Sequence, residues 1–179
     1  MRVKHSKTPF PKKVSGFPFA GPVLLDADFT VTNKGRVYVK LLVFPNQTAL
    51  QRFWNKSGLF DNSGKLERDS VGVAHPLEVR REIYTKGQQE PVTLLEVDPR
   101  YCAVIGLCAG YLSMNIVTHE SVHAAFCFAA RSSRMSTWAL TPNSVPDETI
   151  AYPAGQIASK ITGLLLKHGL YDYPYRKKK

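Results

Sequence analysis

Apolar and polar positions alternate along residues 35–44, GRVYVKLLVF, with Val37, Val39, Leu41 and Val43 on one side. A period of two predicts a strand, which Pro45 ends. The period then changes. In 46–56 the apolar residues Leu50, Phe53 and Trp54 recur at helical spacing behind Asn46, a residue suited to cap a helix, so a short helix is predicted. Residues 57–70 hold Gly, Asn, Asp and Ser and read as loop. Strand patterns return at 71–74, 77–84 and 92–97, separated by turn residues at 87–91 and followed by Asp98-Pro99. Residues 101–107 form an unbroken apolar strand. Gly110 marks the start of a long helix over about 111–131. A polar loop with Pro142 follows, and a second long helix over about 146–168 stops at Gly169.

Strands therefore fill the middle of the chain and helices its last third, an order that predicts an α+β domain with helices packed on a mixed sheet of about four strands. Residues 1–33 are rich in Pro, Gly and Lys without sustained periodicity. They read as an extended arm draped over the domain and anchored by Phe10, Phe17 and Phe19. Residues 34–175 form a single domain and 176–179 a basic tail. No repeat of 20–50 residues and no low-complexity segment is present.

The 179 residues are 44% hydrophobic and 21% charged, which excludes wholesale disorder, collagen and coiled coil as readings of the whole. A chain of this length buries enough surface to fold without disulfides. Its three cysteines, Cys102, Cys108 and Cys127, form no disulfide framework, so a reducing, cytoplasmic setting is expected. Pro18, Gly21 and Pro22 interrupt the mildly apolar residues 14–25, and no signal peptide is expected there. Residues 101–117 carry no charge for 17 positions. That run contains Gly106, Gly110, Ser113 and Asn115 and leads into His119 and Glu120. A buried strand followed by a buried helix accounts for it better than a membrane span does.

Lys and Arg number 24 against 14 Asp and Glu, a net charge of +10. Part of the excess lies at the ends, in Arg2, Lys4, Lys7, Lys12 and Lys13 and in Arg176 to Lys179. Such ends suit contact with an acidic protein, nucleic acid or an anionic membrane, or serve as solvated tails; the clusters contain no nucleic-acid-binding motif.

The chemistry lies in the first long helix, where Thr118-His119-Glu120-Ser121-Val122-His123 spells H-E-x-x-H. Helix positions i and i+4 share a face, so both imidazoles can aim at one Zn²⁺ at about 2.0–2.1 Å. Glu120, beside them and not a ligand, suits a general base for water. Leu112, Ile116, His119, His123, Phe126 and Ala130 follow helical spacing, which places both histidines on or beside the buried face. The plain alternative is two satisfied core histidines and a surface glutamate, an arrangement that is costly on an apolar helix without a metal or partners.

A catalytic zinc needs a third protein ligand. Cys127, a further turn along the same helix, cannot easily wrap round to the same ion. Glu148 stands 25 residues after His123 at the start of the next helix, in Pro146-Asp147-Glu148-Thr149-Ile150-Ala151-Tyr152, and gives a His₂Glu set, with Asp147 as the substitute. Both acids also suit a helix N-terminus for its dipole alone. Tyr152 shares the face of Glu148 and either donates a hydrogen bond to a developing oxyanion or packs.

His119-Glu120-x-x-His123 followed by Glu148 resembles the gluzincin arrangement of zinc metallopeptidases. The compact order of strands, H-E-x-x-H helix, loop and D-E-x-x-A-Y helix resembles small zincin-like proteins of phages and mobile elements and, more distantly, the ImmA/IrrE family. The resemblance covers residues 101–168. It implies a zincin-like fold, zinc held by His119, His123 and Glu148, and Glu120 as catalytic base. It further implies a protein or peptide substrate pairing with the strand at 101–107, and host cytoplasm for a phage-encoded protein. Tyr152 stands where larger gluzincins often carry Asp, and Val122 where the ImmA/IrrE pattern often has Gly. The expected function is zinc-dependent hydrolysis of a peptide bond. The alternatives are a catalytically silent zincin-fold binding or inhibitor protein and a basic nucleic-acid-binding domain. His75 reads as a surface residue, His168 as a favourable charge at a helix C-terminus, and the cysteines as core.

Overall fold

A computed structural model of the chain describes residues 2–5, 23–32, 36–56, 66, 69–84, 92–97, 100–133 and 148–171. The elements are β1 (Arg2–His5), β2 (Leu25–Thr32), β3 (Arg36–Phe44), α1 (Gln47–Lys56), β4 (Gly72–Pro76), β5 (Glu78–Tyr84), β6 (Val92–Val97), β7 (Tyr101–Cys108), α2 (Met114–Ser133) and α3 (Glu148–Lys167). They form a four-stranded mixed sheet in the order β2-β3-β7-β4 and a three-stranded antiparallel sheet in the order β1-β5-β6. The α+β class and the four-stranded sheet match the sequence pattern.

Within the larger sheet β3 and β7 run parallel, Leu41 opposite Ile105, while β2 and β4 lie antiparallel at the two edges. Alternation along each strand sorts the core into two layers. Val39, Leu41 and Val43 of β3 and Ala103, Ile105 and Leu107 of β7 face α2 and α3, where Val117, Ala124 and Phe128 meet Ile157, Ile161 and Leu165. Leu42, Phe44, Val104 and Cys108 face the other way, onto Leu50 and Phe53 of α1. Because β7 is covered on both faces and flanked on both sides, its residues from Cys102 to Cys108 are all buried, which explains the unbroken apolar run. The strand at 101–107, which the resemblance implies at a cleft edge and whose unbroken apolarity suits an interior position, is interior, and β4 is the sheet edge beside it.

A second difference concerns residues 1–33. Residues 25–32 are not an arm but the edge strand β2, with Leu25, Phe29 and Val31 buried in the core. Aspartates at 26 and 28 between them mask the alternation by composition, yet they fit period two. Both take up Lys40, whose ammonium lies 2.5 Å from Asp26 and 2.7 Å from Asp28. Tyr101 Oη donates to Asp28 at 2.9 Å. Burial alone would lower the Lys40 pKa, but the two carboxylates outweigh it and hold the pKa above the ordinary value. β1 pairs with β5, also inside the expected arm. Phe10, Phe17 and Phe19 lie outside the described residues.

The helix ends are set by local chemistry. Asn46 Oδ1 accepts from the Ala49 amide at 2.9 Å, the expected cap of α1. α2 starts later than expected, because Gly110 at φ +86° turns the chain and Ser113 supplies the cap, its Oγ accepting from Ile116 N at 3.3 Å. α3 ends in paired bonds from Gly169 N to Leu166 O (3.0 Å) and from Leu170 N to Leu165 O (2.9 Å), with Gly169 at φ +63° and Leu165 and Leu170 both buried. Tyr171, just past that end, donates through Oη to Met114 Sδ at the start of α2 (3.5 Å). The two helices, packed along each other, therefore run antiparallel. Among the described residues no helix is long and apolar enough to cross a membrane.

Candidate functional site

α2 packs over β4 and β7, and its burial pattern decides how H-E-x-x-H is displayed. Val117, Ser121, Ala124, Ala125 and Phe128 form the buried side, whereas Asn115, Thr118, His119 and His123 face solvent. Each residue turns the helix by about 100°, so Glu120, next to His119, points inward. The histidines, expected on or beside the buried face, are exposed, and Glu120, a surface residue only in the plain alternative, is 6% exposed. The apolar stripe that suggested otherwise, Leu112, Ile116 and Phe126, is only half-buried, because the helix is apolar on several sides.

The two imidazoles converge. Nε2 of His123 lies 3.1 Å from Nε2 of His119, and the rings meet edge-on with centroids 4.6 Å apart. Two nitrogens bound to one tetrahedral zinc at about 2.05 Å stand about 3.3 Å apart. The pair therefore fits two positions of such an ion with little movement. Burial and the neighbouring His119 lower the His123 pKa, which favours the neutral, metal-binding form of its ring.

Glu120 reaches under β4. Its carboxyl lies against Gly72, so close that a Cβ built there would stand 2.8 Å from Oε1 and 3.0 Å from Cγ. Burial raises its pKa from the ordinary carboxylate range to about 7, opposed by a hydrogen bond from the Ala74 backbone. At neutral pH this group exchanges a proton readily, as a general base must. Nothing in the chain between 71 and 75 signals chemistry, and sequence reasoning missed that β4 builds half of the carboxylate's surroundings.

Among the described residues no metal-holding group joins Glu148 to the histidine pair. Glu148 opens α3, and Tyr152 lies one turn further along it. Both residues are exposed, and Tyr152 borders a shallow depression on α3 with Gly155 and Lys160. Among the described residues no three His, Cys, Asp or Glu side chains stand close enough to hold one metal ion. Asp147 lies outside the described residues. The structure thus brings the two histidines together and, among the described residues, groups no third ligand with them.

The other candidates fall away from the pair. His75 sits on the α1 face of the sheet, edge-on to Trp54 at 5.8 Å, with Nδ1 2.8 Å from Pro76 O. Burial lowers its pKa. His168 is exposed just past α3. The cysteines are free and buried, and burial pushes Cys102 up to about 12 and Cys108 up to about 11, so both stay protonated thiols in the core. No family model, curated protein or solved structure matches the chain.

Proposed function

We propose that the protein is a zinc-dependent peptidase of the small zincin-like kind, with His119 and His123 as metal ligands and Glu120 as general base. The observation that carries this reading is the convergence of the two Nε2 atoms to 3.1 Å on a solvent-facing stripe of the helix that also carries the buried Glu120. Zinc, when bound, supplies a Lewis acid for a peptide carbonyl. Glu120, with its pKa near 7, takes the proton from the attacking water and returns it to the departing amine. β4 offers the outer edge, unpaired among the described residues, to which an extended protein segment adds as a further strand. The proposal assigns no third ligand among the described residues. Three buried free thiols support a reducing, cytoplasmic setting.

The unassembled third ligand favours a second reading, a zincin-like binding or inhibitor protein that does not hydrolyse its partner. One set of proteins separates the two. Wild type, His123→Ala and Glu120→Gln are purified without added zinc, analysed for metal and assayed on fluorescein-labelled casein. The peptidase reading expects about one zinc per chain in wild type and in Glu120→Gln, none in His123→Ala, and hydrolysis by wild type alone. A zinc-bearing wild type whose casein stays intact supports the binding reading. Wild type that takes up no zinc even on reconstitution sinks both.

A further inference from the structure

We infer that Gly72, on the edge strand β4, is the positioning residue for the Glu120 carboxyl, an inference that rests on the peptidase reading for its catalytic meaning and on sterics for its structural one. α2 alone leaves a glutamate side chain three torsions with which to wander. What fixes this one is the recess it enters. A methyl at position 72 would meet Glu120 Oε1 at 2.8 Å, Glu120 Cγ at 3.0 Å and Ile116 Cγ2 at 3.1 Å. Real Cβ atoms essentially never approach a neighbour as closely as the first of these. Oε1 is the far end of a flexible side chain, so what an added methyl shifts first is the carboxyl itself. Gly72 is not there for backbone freedom, because its place in a regular strand, opposite Leu107 of β7, asks for none. The missing side chain is what admits the carboxyl to the underside of β4, next to the Ala74 backbone. The strand offered to a substrate thereby also sets where the base stands. Two elements more than 40 residues apart in sequence hold the base and the metal-binding pair in one frame.

The prediction is a size exchange. Gly72→Ala displaces the Glu120 carboxyl, and Glu120→Asp, one methylene shorter, makes room for the added methyl. Wild type, G72A, E120D and the double variant are loaded with zinc, and each is assayed for thermal midpoint, zinc content and turnover of fluorescein-labelled casein. G72A should keep its zinc and its KM, lose at least about tenfold in kcat, and melt several degrees lower, as expected for overpacking. In the E120D background the same substitution should lower neither kcat nor the midpoint further. Losses that add, or a G72A protein with wild-type kcat and midpoint, overturn the inference. If wild type does not cleave casein, the midpoints alone decide. Non-additive midpoints then uphold the Gly72–Glu120 contact while the peptidase reading fails, and additive midpoints overturn the contact itself.

Discussion

Glu120→Gln tests the buried carboxyl independently of any substrate. In the unfolded chain a glutamate has its ordinary pKa, near 4.5, and in the folded protein burial raises it to about 7. Between those values the folded state binds the proton more tightly than the unfolded state. Stability from this group is therefore fully present below about pH 4.5, declines as pH rises, and is lost above about pH 7. A shift of about 2.5 units at 1.36 kcal/mol per unit corresponds to about 3 kcal/mol. Glutamine has nearly the same shape and does not titrate. Wild type and Glu120→Gln, both held in a metal chelator, should be compared by urea unfolding at half-unit steps from pH 4.5 to 8. Titrating groups remote from position 120 cancel in the difference between the two proteins. The variant should gain about 3 kcal/mol relative to wild type across that window, most steeply between pH 5 and 7. A difference that stays flat with pH would refute the buried, raised carboxyl and with it the inward turn of Glu120.

Two further predictions concern the frame that presents the site. Ile161→Ala, at a fully buried position of α3 against α2 and the sheet, should cost about 2–5 kcal/mol in urea unfolding; a cost below 1 kcal/mol would show that α3 does not pack there. Lys40→Ala removes the cation shared by Asp26 and Asp28. Because the aspartates are partly exposed, about 2 kcal/mol is expected rather than the larger loss of a fully buried pair, and the additional Asp26→Asn should recover part of it. Equal stability of Lys40→Ala and wild type would contradict the ion cluster.

Most of the fold is legible in the sequence because its strands and helices keep a strict period. The alternation in 35–44, the apolar run of β7, the Asn46 cap and the Gly169 stop all act locally, within a few residues. The failures share one cause, which is that what decides them lies far along the chain. β2 carries two aspartates, and only their long-range partner Lys40 on β3 makes them at home in a strand. The burial of β7 depends on β4 taking the edge, and no property of residues 101–107 states which strand flanks them. The two histidines are exposed rather than on or beside the buried face because α2 is apolar on more than one side, so periodicity could not tell which side meets the sheet.

The direction of α3 bears on the chemistry more than any other feature. The i, i+4 spacing of H-E-x-x-H puts two imidazoles on one helix face, where their Nε2 atoms stand 3.1 Å apart. It does not guarantee the base, which needs a recess, nor a third ligand, which needs a second element to arrive at the right level. The recess is present, formed by Gly72 and Ala74 of β4. α3 brings Ile157, Ile161 and Leu165 to the core and carries Glu148 in its first turn. The two halves of the sequence signature thus have different standing. His119 and His123 meet through their spacing on α2, and Glu120 lies against Gly72 of β4, whereas Glu148 and Tyr152 both lie in the first turns of α3. Substitutions at the first three should therefore change metal uptake or proton exchange, and substitutions at the last two should leave metal uptake by the histidine pair as it is in wild type. Zinc titration of Glu148→Ala monitored by calorimetry checks this directly. A wild-type affinity agrees with the antiparallel packing, and a loss of affinity comparable to that of His123→Ala would show that α3 reaches the pair after all.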